Sequence, residues 1–248
     1  MEPSLRAADA AVVPPEAALA LVELGRIVLA DRTLEDVLEQ VAVLARGAIV
    51  GASEVSVTLV VRDRPTTAAF TGPLARELDE RQYAAGFGPC LDAARGGETM
   101  VIADMATESR WPRYCPTALE RGARSSLSVP LPVQEHVVGA LNVYGAVPDA
   151  FSAESVKAGV LFASYAAVAV ANAHLYATTA DLAEGMRQAM TSRAVIEQAK
   201  GILMAQRGCS AEEAFGQLTR VSQHTNRKLR EVAAELVARV QTSPASRP

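Results

Sequence analysis

The stretch Ser192–Val237, SRAVIEQAKGILMAQRGCSAEEAFGQLTRVSQHTNRKLREVAAELV, decides how the chain is organised, because its apolar residues fall at helical spacing in three separate runs. Ile196 and Leu203 mark the first. Ala214, Phe215, Leu218 and Val221 mark the second, and Leu229, Val232, Ala233, Leu236 and, just beyond, Val240 mark the third. Gly208 ends the first run, Ser210-Ala211-Glu212-Glu213 matches a capping box, and His224 to Asn226 separates the second run from the third. Three helices with one apolar stripe each predict a small bundle. Phe215, its only aromatic residue, is expected in the core. Gly201 costs about 1 kcal/mol in mid-helix and is expected to permit close helix packing.

Charge sets this region apart. Residues 187–248 hold 10 Lys and Arg against 5 Asp and Glu, a formal +5, whereas the preceding residues hold 14 against 23 and carry −9. An acidic body with a basic C-terminal region points to a polyanion partner for that region alone; an ordinary solvated surface is the alternative.

Towards the N-terminus, Leu161, Val168, Leu175, Leu182, Ala189, Ile196 and Leu203 repeat every seven residues. Such a seam predicts one long helix that pairs with another, here as a parallel dimer coil with Leu161, Val168, Leu175 and Leu182 in the contact. The companion positions, Tyr165, Asn172, Thr179, Met186, Arg193 and Lys200, are less apolar. The competing reading is that each domain uses its own part of the stripe as core. Ser152 and Ser155 are the candidate caps where this helix begins.

The first 150 residues alternate differently. Helical spacing over 16–30 and 34–49, with Thr33 as a cap, is followed by a β-branched run, Val55 to Val61. Arg62-Asp63-Arg64-Pro65 reads as a turn into Thr66 to Phe70, giving a hairpin. Gly86 to Gly97 suggests a loop and a brief helix beside a cavity. Met100 to Ala103 resumes an extended pattern, then Ser126 to Leu131 and Val137 to Tyr144 give two more strands around Gln134-Glu135-His136. The fold class is α+β: a largely antiparallel sheet flanked by helices, a long linking helix, and the three-helix bundle.

Half of the 248 residues are hydrophobic, enough for a real core, and aromatics are only 4 %, so helices are expected to pack through small side chains. Cys90, Cys115 and Cys209 are odd in number and form no C-x-x-C pair, which argues against a disulfide framework or zinc site and for a reducing, cytoplasmic setting. The N-terminus, with Glu2 and Arg6 among alanines and prolines, does not read as a signal peptide. Gly159 to Ala173 is short for a bilayer span and reads as a buried helix, so no membrane is expected.

The quoted C-terminal stretch resembles the ANTAR family of RNA-binding antiterminator domains. Ala199-Lys200-Gly201 with Leu203-Met204, then Ala214 with Leu218, and Val232-Ala233 carry the resemblance. The preceding region is similar to GAF domains, through GPCLDA (Gly88 to Ala93), RWP (Arg110 to Pro112), RSSLSVPL (Arg124 to Leu131) and GALNVY (Gly139 to Tyr144). The resemblance implies a signal-responsive protein whose bundle binds RNA hairpins in a nascent transcript and prevents a terminator from forming. The expected order is an arm over 1–15, a sensory domain over 16–176, a helical linker or coiled coil over 177–191, the RNA-binding domain over 192–240 and a tail over 241–248.

RNA recognition needs cationic and amide side chains. Arg193, Lys200 and Arg207 recur every seven residues near one helix face, and Asn226, Arg227, Lys228 and Arg230 cluster at the start of the third bundle helix. Lys200 matches the family's lysine. His224 could stack on a base but reads better as a solvated loop residue. In the sensory domain Cys90, Asp92, Asp104, Trp111 and Arg124 are pocket or scaffold candidates for an unknown small-molecule effector, with Cys90 favoured as a buried structural thiol. No cofactor is identified. His136, His174 and His224 are isolated, which disfavours a metal site. Two rivals remain open: a DNA-binding regulator, and a free methionine sulfoxide reductase using Cys90 and Cys115.

Overall fold

Alternation along three neighbouring strands builds the first part of the molecule. The computed structural model describes residues 14–61, 63–133 and 137–242. Most of the 1–15 arm, Arg62 of the hairpin turn, Gln134-Glu135-His136 and most of the 241–248 tail lie outside the described residues. The chain divides into two compact units between Ala177 and Thr178.

In the first unit, α1 (Pro15–Gly25) and α2 (Leu34–Ala48) precede β1 (Glu54–Val61) and β2 (Arg64–Phe70). Next come α3 (Pro73–Ala85), α4 (Pro89–Gly96), β3 (Met100–Ile102), α5 (Cys115–Glu120), β4 (Ser125–Val133) and β5 (Val137–Gly145). The five strands form one sheet in the order β2-β1-β5-β4-β3, with every pairing antiparallel. Thr33 caps α2 reciprocally: its Oγ1 accepts from the Asp36 N–H at 3.1 Å, and Asp36 Oδ2 accepts from the Thr33 N–H at 2.8 Å.

Four details depart from the sequence expectations. The helix expected over 16–30 stops at Gly25, and only a single 3-10 turn, Leu29–Asp31, follows. The hairpin turn is tighter than Arg62 to Pro65. Arg64 pairs with Val61 and Asp63 takes φ 61°, so Pro65 sits inside β2, which an edge strand tolerates. Helices α3 and α5 were not anticipated. Proline at the start of α3 and Gly86 at its end, in the left-handed region at φ 73°, are its local signals.

Because strand side chains alternate between faces, the two faces of the sheet differ in kind. Val55, Val57, Leu127, Val129, Leu141 and Val143 join one apolar core with α1 and α2. The intervening residues, Ser56, Thr58, Ser126, Ser128, Asn142 and Tyr144, are equally buried yet polar.

Helix α6 (Ala153–Arg207) starts where Ser152 Oγ accepts from the Ser155 N–H at 3.2 Å. It buries small residues: Ala158, Ala163, Ala166 and Ala167, with Phe162 and Val170, pack into the apolar core. Several of its other large apolar residues point outward. Tyr165, Val168, Leu175 and Leu182 are each more than half exposed, so Gly159 to Ala173 is buried on one face only. Among the described residues one helix, α6, contains a window long and apolar enough to cross a membrane, and 44 % of that window is buried in the protein.

The second unit is the bundle of α6's C-terminal part, α7 (Ala211–Thr225) and α8 (Leu229–Thr242). Its core is Ala199 and Leu203, Ala214 and Leu218, and Val232, Ala233 and Val237. Ser210 and Glu213 form the capping box, and Asn226, at φ 51°, closes α7. Phe215 is not core: it is 44 % exposed, and Val221 and Val240 are also exposed, because the buried stripe is only as wide as the Ala214–Leu218 edge. Gly201 is exposed too, and a Cβ built there meets no neighbouring atom within 4 Å, so it serves no packing purpose. Gly201→Ala should therefore stabilise the bundle by about 1 kcal/mol through helix propensity. Thermal denaturation of the full chain measures it, and a lowered melting temperature would contradict the open space described.

Candidate functional site

The polar face of the sheet lies under α3, α4 and α5, and its groups meet in a continuous hydrogen-bond network. Asp79 on α3 is fully buried. Its Oδ1 accepts from Tyr144 Oη at 2.6 Å and from Asn142 Nδ2 at 3.3 Å, and its Oδ2 accepts from Thr67 Oγ1 at 3.0 Å. Thr58 Oγ1 lies 2.8 Å from Tyr83 Oη and 3.2 Å from Cys90 Sγ, and Asn142 Nδ2 also reaches Cys90 Sγ at 3.2 Å. Burial pushes the Asp79 carboxyl up to about 6, against the hydrogen bonds from Ser56, Tyr144, Thr67 and Tyr83. Among the described residues, Tyr114 Oη, Ser126 Oγ and Asn142 Oδ1 are buried without a hydrogen-bond partner. Unsatisfied polar atoms are exceptional in a folded interior.

Cys90 is fixed within this layer, not displayed by it. Its N–H donates to Gln82 Oε1 at 2.8 Å, and burial first, then the Asp79 charge, raises the thiol far above its ordinary value. Gly88, two residues before it, has φ 151°, and a Cβ there would stand 2.4 Å from Gln82 Oε1. The turn that presents Cys90 to Gln82 thus requires glycine. Cys115 is also buried, and its thiol is pushed up to about 11 by burial and by Glu108. Neither thiol has the depressed pKa that a nucleophilic cysteine needs.

The other sensory candidates fall into two pairs. Trp111 Nε1 donates to Asp92 Oδ2 at 2.8 Å, tying α5's approach to α4. Arg124 Nη2 lies 3.9 Å from Asp104 Oδ1, a loose and partly exposed ion pair, and Asp104 Oδ1 also accepts from the Ala106 N–H. Arg110 packs over the Trp111 ring at 4.3 Å while its guanidinium holds Glu108. Sequence reasoning missed Asp79, Gln82, Tyr83, Asn142 and Tyr144. For Asn142 and Tyr144 the signal was polar residues at every second position of three adjacent strands; Asp79, Gln82 and Tyr83 lie on α3 and had no such signal.

In the bundle, Arg193, Arg207, Arg227, Lys228 and Arg230 are exposed. Lys200 is not: its side chain is 18 % exposed and its Nζ donates to both Glu197 carboxylate oxygens at 3.0 Å. Arg207 and Arg227 line one cleft and Arg230 another. Asn226 acts as the left-handed cap of α7, and the Lys228 carbonyl accepts from the N–H groups of Glu231 and Val232 at the start of α8. Among the described residues no group of three or more His, Cys, Asp or Glu could hold a metal ion.

The buried carboxyl gives a pH dependence whose sign follows from its raised pKa. Protonated Asp79 favours the fold, so its contribution is complete below about 3.8, the ordinary value, and is lost as the pH rises through about 6. Asp79→Asn stays neutral throughout. Between pH 4 and 7 wild type should lose up to about 3 kcal/mol relative to this variant, measured by urea unfolding. A difference that does not change with pH would show that the carboxyl is not buried as described.

The GAF domain family model matches residues 31–171, and the ANTAR domain model matches residues 184–237. No curated protein matches the chain in sequence. Among solved structures, the chromophore-binding domain of a bacteriophytochrome from R. palustris is 13 % identical, with a TM-score of 0.51 over 65 % of this chain and 62 % of that one. The GAF domain of a phosphoenolpyruvate-protein phosphotransferase from Coxiella burnetii is 20 % identical, with a TM-score of 0.51 over 66 % of this chain and 97 % of that one. A free methionine-R-sulfoxide reductase from Neisseria meningitidis is 22 % identical, with a TM-score of 0.50 over 66 % and 95 %. At such identities these neighbours speak for the fold alone. With a GAF match spanning more than half its length, the chain belongs to the GAF domain family and carries an ANTAR domain at its C-terminal end.

Proposed function

We propose that this protein is a signal-responsive RNA-binding regulator of transcription termination, whose bundle holds hairpins of a nascent transcript in the antiterminated fold. The observation that carries the reading is an ANTAR domain coinciding with the +5 region of an otherwise acidic chain. No covalent step is needed. A protein that binds one RNA fold and not its competitor shifts their populations by its differential affinity, and a shift from 1:99 to 99:1 takes about 5.5 kcal/mol. The buried, neutral thiols of Cys90 and Cys115 support regulation over reductase chemistry.

Residues 192–240 form the RNA-binding domain in this reading, joined through 177–191 to the sensor over 16–176. Arg193, Lys200, Arg207, Asn226, Arg227, Lys228 and Arg230 are the contact residues, with an RNA phosphate taking the place of Glu197 on Lys200. A small-molecule effector would act on the sensor, where Tyr114 Oη, Ser126 Oγ and Asn142 Oδ1 offer unused hydrogen bonds. The working form is a homodimer, its α6 helices paired through Leu161, Val168, Leu175 and Leu182. The last three are more than half exposed, and burying such a side chain stabilises by roughly 1.5–3 kcal/mol.

Binding of hairpin RNA and of duplex DNA at one salt concentration tests the function, and preference for duplex DNA would favour the DNA-binding alternative. Arg193→Ala and Lys200→Ala should each weaken hairpin binding and lower the salt slope by about 1, with helicity intact. Unchanged affinity in both would refute this contact face. Leu182→Glu should convert the dimer to monomer in sedimentation, and an unaltered mass would refute the seam.

A further inference from the structure

We infer that the cleft between the end of α6, α7 and α8 receives an unstacked base of an RNA loop together with its flanking phosphates, and that Arg220 and Arg239 are contact residues there. The inference rests on the RNA-binding reading and extends it to a surface and to residues that reading does not include. The cleft has a volume of about 620 Å³, within the range of roughly 300–1,000 Å³ that suits a small planar group. Leu218, Val221 and Leu236 give it apolar lining, and Val221 is 47 % exposed.

Four guanidinium groups line the cleft, from Arg207, Arg220, Arg227 and Arg239, and one carboxylate, Glu235. Glu235 Oε2 accepts from Arg227 Nη1 at 2.7 Å while Oε1 accepts from Arg239, so a single acid orients two arginines. Among the described residues neither Arg207 nor Arg220 is paired with a carboxylate: Arg207 Nη1 donates to Gln217 Oε1 at 2.5 Å, and Arg220 Nε to the Gly216 carbonyl at 3.4 Å. Positive charge is therefore in excess around an apolar floor, the complement of a base between phosphates. Guanidinium planes also stack on bases.

Shape selects the occupant. Duplex DNA keeps its bases stacked and is read by elements that project into a groove, whereas RNA loops offer splayed bases that can enter a concavity. Beyond the cleft, Arg220 and Val221 also line an adjoining groove with His224, which continues the path for the strand.

The test uses the full chain and a pool of hairpin RNAs with one fixed stem and randomised loops, with electrophoretic shift as readout. Arg220→Gln and Arg239→Gln should each weaken binding about fivefold or more, with unchanged circular dichroism, while Arg187→Gln, outside the cleft, leaves it unaltered. In a hairpin selected from the pool, an abasic substitution at one loop position should weaken wild-type binding, and this loss should disappear in Val221→Asp. Binding by wild type with all three cleft variants behaving like it would overturn the inference and leave the RNA reading standing. Failure of wild type to bind any hairpin of the pool would overturn the RNA reading, and this site with it.

Discussion

Alanines at positions 158, 163, 166 and 167 bring α6 close to the sheet, with Phe162 and Val170 filling what the alanines leave open. The rest of the structure depends on this contact, because the face of α6 that carries these alanines with Phe162 and Val170 is the buried one and the opposite face is turned outward. On that outward face Val168, Leu175 and Leu182 fall on the seven-residue repeat, and Tyr165 at its companion position is exposed with them. The same helix ends as the first helix of the bundle, where Ala199 and Leu203 are again core. One element thus belongs to the core of the GAF domain, carries the proposed dimer seam and contributes to the ANTAR bundle.

The sheet's second face obeys a different constraint. Buried polar groups are costly unless they find partners, and here Asp79, Thr58, Tyr144, Tyr83, Cys90 and the Asn142 amide nitrogen bond to one another. Asp79 is held against the cost of ionisation, and three nearby polar atoms have no hydrogen-bond partner among the described residues. A face that is buried yet not apolar contributes less to stability than its area suggests. The apolar face opposite carries the main hydrophobic core.

Much of this was legible in the sequence where one period dominates. Period two gave away β1, β4 and β5, and capping residues Thr33 and Ser210 gave away helix starts. The α3 segment was opaque because its stripe is broken by Asp79 and Gln82, polar residues that face inward to meet the strands. Phe215 and Gly201 misled for a shared reason: hydrophobicity and propensity are properties of a residue, whereas burial depends on which partners the bundle brings to it. The candidate contacts were partly legible. Arg207 and Arg227 meet in one cleft, but Arg220 and Arg239 join them only through the crossing of α7 and α8, which no spacing along the chain reveals.

Sequencing the nucleic acid that co-purifies with the full chain after ultraviolet cross-linking tests the central claim most directly. The account predicts enrichment of stem-loop RNA lying just upstream of a transcription terminator, with cross-links to the bundle. Recovery of duplex DNA, or of RNA no richer in such hairpins than the total transcript pool, would contradict it.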